Sequence, residues 1–293
     1  MIARSALVCI GMLIVCTFRA DASHAQVIGN SLLEDTMLRS PQDVKRRIIN
    51  GRPASFADNP WQVALVWSGN PDNVVAQFCG GSIIGDYWIV TAGHCIDKSK
   101  PKSAVEVLSG TDSLESGGVR STIADWIVHT NYSTSADRIS HDFDVALIEI
   151  TRTSNRLRGQ RVLPLSRGSD ELPLRTPIRV TGWGVTERRW DPTIRLLQVD
   201  VPYVGTPECN SKRSYNGRVT ETMLCAGEKQ GGKDPCRGDS GGPATTDHLG
   251  SRTLVGITSW GIGCGEPDHY GVYARVSKFR DWVTTKTRGE VTW

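Results

Sequence analysis

The sequence lacks a hydrophobic run long enough to argue for a stable membrane span. Its apolar stretch near the amino terminus, Ala6–Phe18, is shorter than the roughly 20 residues that a spanning helix needs. Arg4 precedes this stretch and small residues follow it between Ala20 and Ala25, as in a secretory signal peptide. We therefore expect residues 1–25 to be a signal peptide and the protein to be secreted, or periplasmic if its host is a bacterium.

The sequence also has no internal repeat, no long low-complexity segment and little excess of either charge. Its formal net charge is +3, from 34 Lys and Arg against 31 Asp and Glu. Without residues 1–47 these counts fall to 28 and 27, which leaves a net charge of about +1. Because proteins that bind nucleic acid usually carry a clear basic excess, we predict no nucleic-acid partner.

The close cysteine pairs of a structural zinc site are missing as well. Two of the eight cysteines, Cys9 and Cys16, lie inside the predicted signal peptide and would be lost with it. The remaining six suit disulfide bonds in an oxidising compartment. We predict no metal site and no cofactor.

Short runs rich in Val, Ile, Leu and Trp recur between turns of Gly, Pro, Asp and Asn. This pattern is typical of an all-β barrel or sandwich. The runs include Trp61–Trp67, Ile83–Val90 with a turn at Gly85 and Asp86, Ile123–His129, Val145–Ile150, Leu196–Val201, Leu254–Trp260 and Gly271–Val276. The segment Val276–Arg288 instead predicts a helix, since Val276, Phe279 and Val283 are spaced to share one face.

The stretch Asp234–Pro243 places Ser240 among several glycines. Glycine lets a backbone take tight conformations and come close to a bound substrate. The N–H groups of Gly238 and Ser240 could both point at an oxygen that becomes negative during attack on a carbonyl. Taken alone, the stretch is equally compatible with a polar turn. A catalytic interpretation therefore needs a base and an orienting acid elsewhere in the chain.

Two such residues follow or begin apolar runs. His94 comes shortly after Trp88–Val90, and an imidazole can take a proton from Ser240 and return it to a leaving amine. Asp144 opens another apolar run, where a carboxylate could orient the imidazole and stabilise the imidazolium. His141 and Asp142 are nearby competitors for these roles.

Together these segments resemble the trypsin-like serine endopeptidases of the chymotrypsin fold, from Ile48 to about Trp282. The order His94, Asp144, Ser240 matches that family and differs from the subtilisin and α/β-hydrolase orders. In the family the acid directly precedes the apolar run, which favours Asp144 over Asp142.

The resemblance implies a fold. It predicts two six-stranded antiparallel β-barrels, at about 48–155 and 156–275, with the active site in the cleft between them and a C-terminal α-helix at about 276–288. It also implies three disulfides, Cys79–Cys95, Cys209–Cys225 and Cys236–Cys264. The family's calcium loop corresponds to Ser109–Gly118, which lacks the acidic pattern, so we predict no calcium there.

The resemblance further implies activation by cleavage. Residues 26–47 would be a propeptide cut after Arg47, which frees the amino group of Ile48 to pair with Asp239 and order the site in a protease domain of residues 48–293. The family often has a histidine where this chain has Gln77, so the inactive state is expected to be held differently.

Substrate-binding residues also follow from the resemblance. Asp234 corresponds to the acid at the base of the specificity pocket, which favours Arg or Lys before the cleaved bond. Gly261 and Gly271 would line an open pocket, Ser259, Trp260 and Gly261 would pair with the substrate backbone, and the Ser259 hydroxyl would contact the carboxylate of the triad.

The expected function is that of a secreted serine endopeptidase made as a zymogen, which forms an acyl-enzyme on Ser240. Expected partners are protein or peptide substrates with Arg or Lys before the cleaved bond, with proteinaceous protease inhibitors as further candidates, and we expect a monomer. Two alternatives stay open on the sequence. One is a catalytically inactive binding module of the same fold, and the other is a narrowly specific processing protease instead of a digestive one.

Overall fold

The computed structural model describes residues 51–134, 141–152, 157, 163–166, 172–184, 193–248, 250–291 and 293. The predicted signal peptide, the predicted propeptide and the predicted new terminus Ile48 lie outside these residues.

Strands dominate the described residues. In chain order the strands are β1 (Arg52–Pro53), β2 (Gln62–Trp67), β3 (Gln77–Ile83), β4 (Trp88–Thr91), β5 (Val105–Ser109), β6 (Val119–Val128), β7 (Ser133–Thr134), β8 (His141–Asp142), β9 (Ala146–Ile150), β10 (Pro177–Gly182), β11 (Leu197–Val204), β12 (Met223–Ala226), β13 (Pro243–His248), β14 (Ser251–Trp260) and β15 (Gly271–Arg275). The α-helices are α1 (Asn73–Ala76), α2 (Thr206–Cys209) and α3 (Arg280–Lys286), and short 3₁₀ turns cover Gly93–Cys95, Lys102–Ala104 and Val276–Phe279.

Six antiparallel strands close the first barrel in the order β2-β3-β4-β9-β6-β5. The side chains of β2 show why this sequence closes a barrel, because successive residues point to opposite faces of a strand. Val63 and Leu65 enter one buried cluster, while Ala64 and Val66 enter another on the opposite side. The strand is therefore covered on both faces, which explains its continuous apolar sequence.

A second ring contains β11, β10, β13, β14, β15 and β12, and the pairing of β11 with β12 closes it. Two residues of β1 extend this sheet by pairing with Gln198 and Leu197 of β11. The predicted fold of two six-stranded antiparallel barrels is therefore confirmed. The barrels do not divide the sequence at a single point, however, because β1 precedes the first barrel and belongs to the sheet of the second.

The segment after β15 forms the predicted helix in two parts. It begins as the 3₁₀ turn Val276–Phe279 and continues as α3. Val276, Phe279 and Val283 are all at most 3% exposed, so they do share a buried face. They pack in the same cluster as the core of the first barrel.

The structure contains the three disulfides that the resemblance implies, namely Cys79–Cys95, Cys209–Cys225 and Cys236–Cys264. Among the described residues, the helices are all too short or too polar to cross a membrane.

Candidate active site

His94 is held by Asp144 through two hydrogen bonds. Asp144 Oδ2 lies 2.8 Å from Nδ1 of the imidazole, and Oδ1 accepts a 2.8 Å bond from the backbone N–H of His94. His94 lies in the 3₁₀ turn after β4, and the Cys79–Cys95 disulfide ties this turn to β3. This grip on ring and backbone fixes the imidazole and leaves its other nitrogen, Nε2, for a reacting group.

Gly93 lets the carboxylate come this close. A Cβ added to Gly93 would lie 3.2 Å from Asp144 Oδ1 and 3.1 Å from the ring of Tyr132. Any larger residue would therefore have to displace the acid or the aromatic ring. The absence of a side chain at Gly93 therefore leaves room for the carboxylate of Asp144.

Asp144 is only 1% exposed and also accepts a hydrogen bond of 2.5 Å from Ser259 Oγ of β14. Burial alone would raise the pKa of Asp144, but the charge of His94 and the bonds from His94 and Ser259 outweigh it and hold the pKa below its ordinary value. Burial likewise would lower the pKa of His94, yet the charge of Asp144 and its hydrogen bond raise it. The pair is thus arranged to stabilise an imidazolium beside a carboxylate.

Ser240 is anchored to the first barrel by its own backbone. Its carbonyl oxygen accepts a 2.7 Å hydrogen bond from the N–H of Gly80 in β3. The next residue, Gly241, has φ of +78°, and a Cβ there would lie 2.2 Å from Thr91 Oγ1 and 3.1 Å from the backbone nitrogen of Ala92. The serine loop of the second barrel therefore meets the chain two residues before His94.

Gly238 occupies the left-handed region with φ of +92°, which a residue with a Cβ adopts only with strain. A Cβ there would also lie 2.9 Å from Cα of Gly184.

From the first barrel, Gln77 Nε2 donates hydrogen bonds to the carbonyl oxygens of Gly238 (2.8 Å) and Cys79 (3.2 Å). The sequence marked Gln77 as a departure from the family but did not indicate this contact.

Asp239 is fully buried beside this loop. Its Oδ1 accepts a 2.8 Å bond from Gly184 N–H and its Oδ2 a 2.9 Å bond from Cys236 N–H. Burial is the largest influence on the group and raises its pKa to about 6, although the two backbone bonds act in the opposite direction. A carboxylate in this position would be stabilised by a cation.

Asp234 is 5% exposed and has one unsatisfied oxygen. Its Oδ2 accepts a 2.9 Å bond from Gly265 N–H, whereas Oδ1 has no hydrogen-bond partner among the described residues. Burial raises its pKa to about 7. A buried acceptor without a donor is costly, so this oxygen suits a ligand that brings N–H groups or positive charge.

Gly271 borders the same carboxylate. A Cβ on Gly271 would lie 2.9 Å from Asp234 Oδ1 and 2.8 Å from Tyr273 Oη, which has no hydrogen-bond partner in the described part of the chain. Tyr273 is a site residue that sequence reasoning missed. The alternation of β15 could have indicated it, because residues two apart on a strand face the same side.

Trp260 and Gly261 lie beside another residue that the sequence did not single out, Tyr215. The rings of Tyr215 and Trp260 meet edge to face with centroids 4.7 Å apart. Tyr215 Oη donates a 2.5 Å bond to the carbonyl of Tyr270 and accepts a 3.3 Å bond from Ile262 N–H. Tyr215 thus joins the two chain segments that hold Gly261 and Gly271.

Possible metal ligands also meet at His94. Atoms of Cys79, His94 and Cys95 lie within 4.8 Å of one another. The two sulfurs are bonded to each other, so they are not the thiolates that bind metal.

The family model Trypsin matches residues 48–283. Transmembrane protease serine 11E of Mus musculus is 36% identical over 242 residues, which is 82% of this chain and 55% of that protein. Coagulation factor XI of Bos taurus is 34% identical over 251 residues, 84% of this chain and 39% of the relative. Trypsin 5G1 of Aedes aegypti is 35% identical over 276 residues, 93% of this chain and 96% of the relative.

A two-barrel fold, with a buried aspartate bonded to a partly exposed histidine and a glycine-rich serine loop against the first barrel, is the architecture of the trypsin-like serine endopeptidases. The chain belongs to the trypsin family. It spans about half or less of the length of the first two relatives and nearly all of the third.

Proposed function

We propose that this protein is a secreted serine endopeptidase, made as a zymogen, that hydrolyses peptide bonds after Arg or Lys. The observation that carries the specificity is the buried carboxylate of Asp234, whose Oδ1 has no partner among the described residues. A substrate guanidinium or ammonium would supply the missing donors and charge. An apolar side chain would leave the oxygen unsatisfied, which costs about 1–3 kcal/mol or more for a charged group.

The proposed catalytic residues are His94, Asp144 and Ser240. Ser240 Oγ attacks the carbonyl carbon and its proton moves to His94 Nε2, while the carbonyl electron pair moves to the oxygen. The N–H groups of Gly238 and Ser240 receive this oxyanion. When the intermediate collapses, the C–N bond breaks and His94 gives its proton to the leaving amine.

The second half of the reaction repeats these roles with water. His94 takes a proton from water, whose oxygen attacks the acyl carbon, and a second oxyanion forms at the same N–H groups. Collapse breaks the bond to Ser240, which regains a proton from His94. Asp144 stays ionised and keeps the imidazole oriented, consistent with its lowered pKa.

The zymogen part of the proposal concerns Asp239. Cleavage after Arg47 would free the ammonium of Ile48, which would pair with this buried carboxylate and stabilise the loop of Gly238 and Ser240. The raised pKa of Asp239 supports the idea, because it shows that burial without a cation disfavours the ionised carboxylate. Since Arg47 itself suits a pocket with Asp234, we also propose that active enzyme cleaves other copies of the zymogen.

Secretion is proposed from the segment of residues 1–25, and protein or peptide substrates, together with proteinaceous inhibitors, are the proposed partners. We propose a domain of residues 48–293 that acts as a monomer.

The test starts from purified full-length protein. The chain is cut with trypsin, the trypsin is removed, and matched peptide substrates with Arg, Lys, Phe or Glu before the bond are compared. We expect cleavage after Arg and Lys alone, absent before activation and absent in Ser240→Ala. No turnover in a sample whose amino terminus is verified as Ile48 would contradict the proposal.

A further inference from the structure

Asp142 connects the acid of the proposed triad to the opposite barrel. It lies in β8, two residues before Asp144. Its Oδ1 accepts a 2.8 Å hydrogen bond from Thr220 Oγ1 and a short one from Thr222 Oγ1, both outside the first barrel. The same oxygen accepts a 3.0 Å bond from the backbone N–H of Phe143. One carboxylate oxygen thus serves three donors.

The two threonines lie next to β12 of the second barrel. Thr222 directly precedes β12, is 5% exposed, and its carbonyl oxygen accepts a 2.7 Å bond from the N–H of Arg275 in β15. Thr220 Oγ1 and Thr222 Oγ1 are themselves 2.8 Å apart. The two hydroxyls therefore form one fixed hydrogen-bonding cluster with Asp142 Oδ1.

Phe143 links Asp142 to Asp144 in a constrained conformation. Its φ of 54° is unusual for an aromatic residue and needs support from its surroundings. Its ring stacks on His129 at 4.9 Å and meets Phe279 at 6.3 Å. Its carbonyl accepts a 2.8 Å bond from Val145 N–H. The backbone on both sides of Asp144 is therefore fixed.

We propose that Asp142 is a positioning residue for Asp144, held by Thr220 and Thr222 so that the acid keeps its place between His94 and Ser259. This inference rests on the proposed function of the triad. Asp144 bonds to His94 of the first barrel and Ser259 of the second, and Ser240 also belongs to the second. The anchor of Asp142 on the second barrel aligns the acid and base with the nucleophile across the interface.

The first test compares variants of Asp142 in the activated enzyme. Asp142→Ala should lower kcat on an Arg peptide about ten-fold or more, because misplacement by about 1 Å can cost up to about a hundred-fold. KM should change little, since the Asp234 pocket is untouched. Asp142→Asn keeps an oxygen acceptor for the threonine hydroxyls and should restore most of kcat.

Two further variants separate the hydrogen bonds from the charge. Thr220→Val together with Thr222→Val removes both donors without changing any charge, and should lower kcat as Asp142→Ala does. Asp125→Ala removes a carboxylate that forms an exposed ion pair with Lys102 in the same barrel, and should leave kcat unchanged. Equal loss in Asp142→Asn and Asp142→Ala would overturn the proposal in favour of a charge effect.

A second readout does not depend on turnover. The pKa of His94 is measured by NMR in Ser240→Ala, with and without Asp142→Ala. Among the described residues, Asp144 bonds to the imidazole and the His141 ring centroid lies 5.6 Å away, while Tyr132 interacts with Asp144. If Asp144 shifts, the pKa of His94 should fall in Asp142→Ala and keep its value in Asp142→Asn. An unchanged His94 pKa with full kcat in Asp142→Ala would overturn the inference.

These outcomes distinguish the two proposals. Inactive wild-type enzyme would count against the proposed function, while the NMR comparison would still decide the role of Asp142. Thermal unfolding establishes that each variant is folded. If Asp142→Ala does not fold, Thr222→Val alone carries the same comparison, with lower kcat and lower His94 pKa expected.

Discussion

The side-chain amide of Gln77 and the carbonyl oxygen of Gly238 are joined by a 2.8 Å hydrogen bond, although the residues are 161 positions apart in the chain. The donor belongs to β3 of the first barrel and the acceptor to the loop of Ser240. Gly238 has a left-handed φ, a conformation that glycine permits at little cost but does not itself enforce. The bond therefore fixes the residue whose N–H is proposed to receive the oxyanion.

Gln77→Ala should lower kcat by about ten-fold. Direct removal of an oxyanion donor costs about a hundred- to a thousand-fold, and the loss of its support should cost less. KM for an Arg peptide should stay nearly unchanged, because Gln77 does not contact Asp234. Steady-state kinetics of the activated enzyme checks this. Gln77→Glu, which replaces the amide donor by a carboxylate, should be at least as slow, and a wild-type kcat in both variants would contradict the role.

Asp234→Asn should reduce kcat/KM for Arg and Lys peptides by about ten-thousand-fold. The substitution keeps the shape of the side chain and an acceptor for Gly265, but removes the charge that a basic side chain would meet. Peptides with Phe before the bond should change far less. Parallel measurements on both substrates give the comparison, and an equal loss on both would show a general defect instead of a specificity defect.

The kcat/KM of the activated enzyme should rise with pH through the pKa of His94, above the ordinary value of a histidine. The protonated imidazole cannot accept a proton from Ser240, so activity is low below this pKa and high above it. Burial alone would lower the pKa of His94. The charge and the hydrogen bond of Asp144 raise this pKa by more than burial lowers it, so the net shift is upward. In Asp144→Asn the acid limb should move to lower pH while kcat falls. A limb that keeps its position would show that another group titrates.

The uncut protein should lose stability as pH rises through the folded pKa of Asp239, about 6. Burial raises this pKa above that of an unfolded aspartate. The contribution of Asp239 to folding stability is therefore complete below the pKa of an unfolded aspartate and is lost as pH rises through about 6. A shift of about two units corresponds to about 3 kcal/mol.

Denaturant unfolding of full-length Ser240→Ala between pH 4 and 8 measures this effect. Asp239→Asn in the same background should remove this share of the pH dependence. Asp234, whose pKa burial raises to about 7, should still contribute in the same direction. Identical pH profiles for both proteins would contradict the assignment to Asp239.

Cys79→Ala with Cys95→Ala should lower the free energy of unfolding by about 3 kcal/mol and also lower kcat. The estimate follows from closing a loop of about 16 residues. The Cys209–Cys225 disulfide has the same sequence separation of 16 and provides a matched control. Removal of the Cys209–Cys225 disulfide should lower the free energy of unfolding by a similar amount. It should lower kcat less, because neither of its cysteines is next to His94 in the chain, whereas Cys95 is. Denaturant unfolding and kinetics of both double variants decide the matter.

The recurring apolar runs and turns predicted an all-β barrel or sandwich, and the resemblance carried by the short motifs around His94, Asp144 and Ser240 implied two barrels. The run Ile83–Val90 with its turn at Gly85 became the end of β3, a tight turn and β4, with Ile84 N–H bonded to Trp88 O at 2.9 Å. Apolar spacing likewise predicted the buried face of the terminal helix. Both the predicted hairpin and the predicted helix face depend on residues that are close together in the sequence.

Distant contacts that the family resemblance did not imply were not predicted. The threonines that bind Asp142 lie 78 and 80 positions away, so no local pattern of the sequence connects them. Tyr273 is a buried aromatic residue in a strand, which usually indicates core packing. Only Gly271, two residues earlier on the same face of the strand, indicates a pocket. Asp142 had been a rival candidate for the catalytic acid, whereas its contacts point to the second barrel.

The first described strand belongs to the second barrel, and the last described segment packs on the first barrel. β1 joins the sheet of the second barrel, while the residues after β15 pack on the first, with Trp88 Nε1 donating to Glu290 at 3.2 Å and Arg152 contacting Glu290 at 2.7 Å. Each half therefore depends on a segment encoded beyond the other half. Severing the chain between the barrels would leave two fragments, each without part of its own covering. Such fragments would have to find one another before either could complete its core, and the cleft between them is inseparable from that assembly.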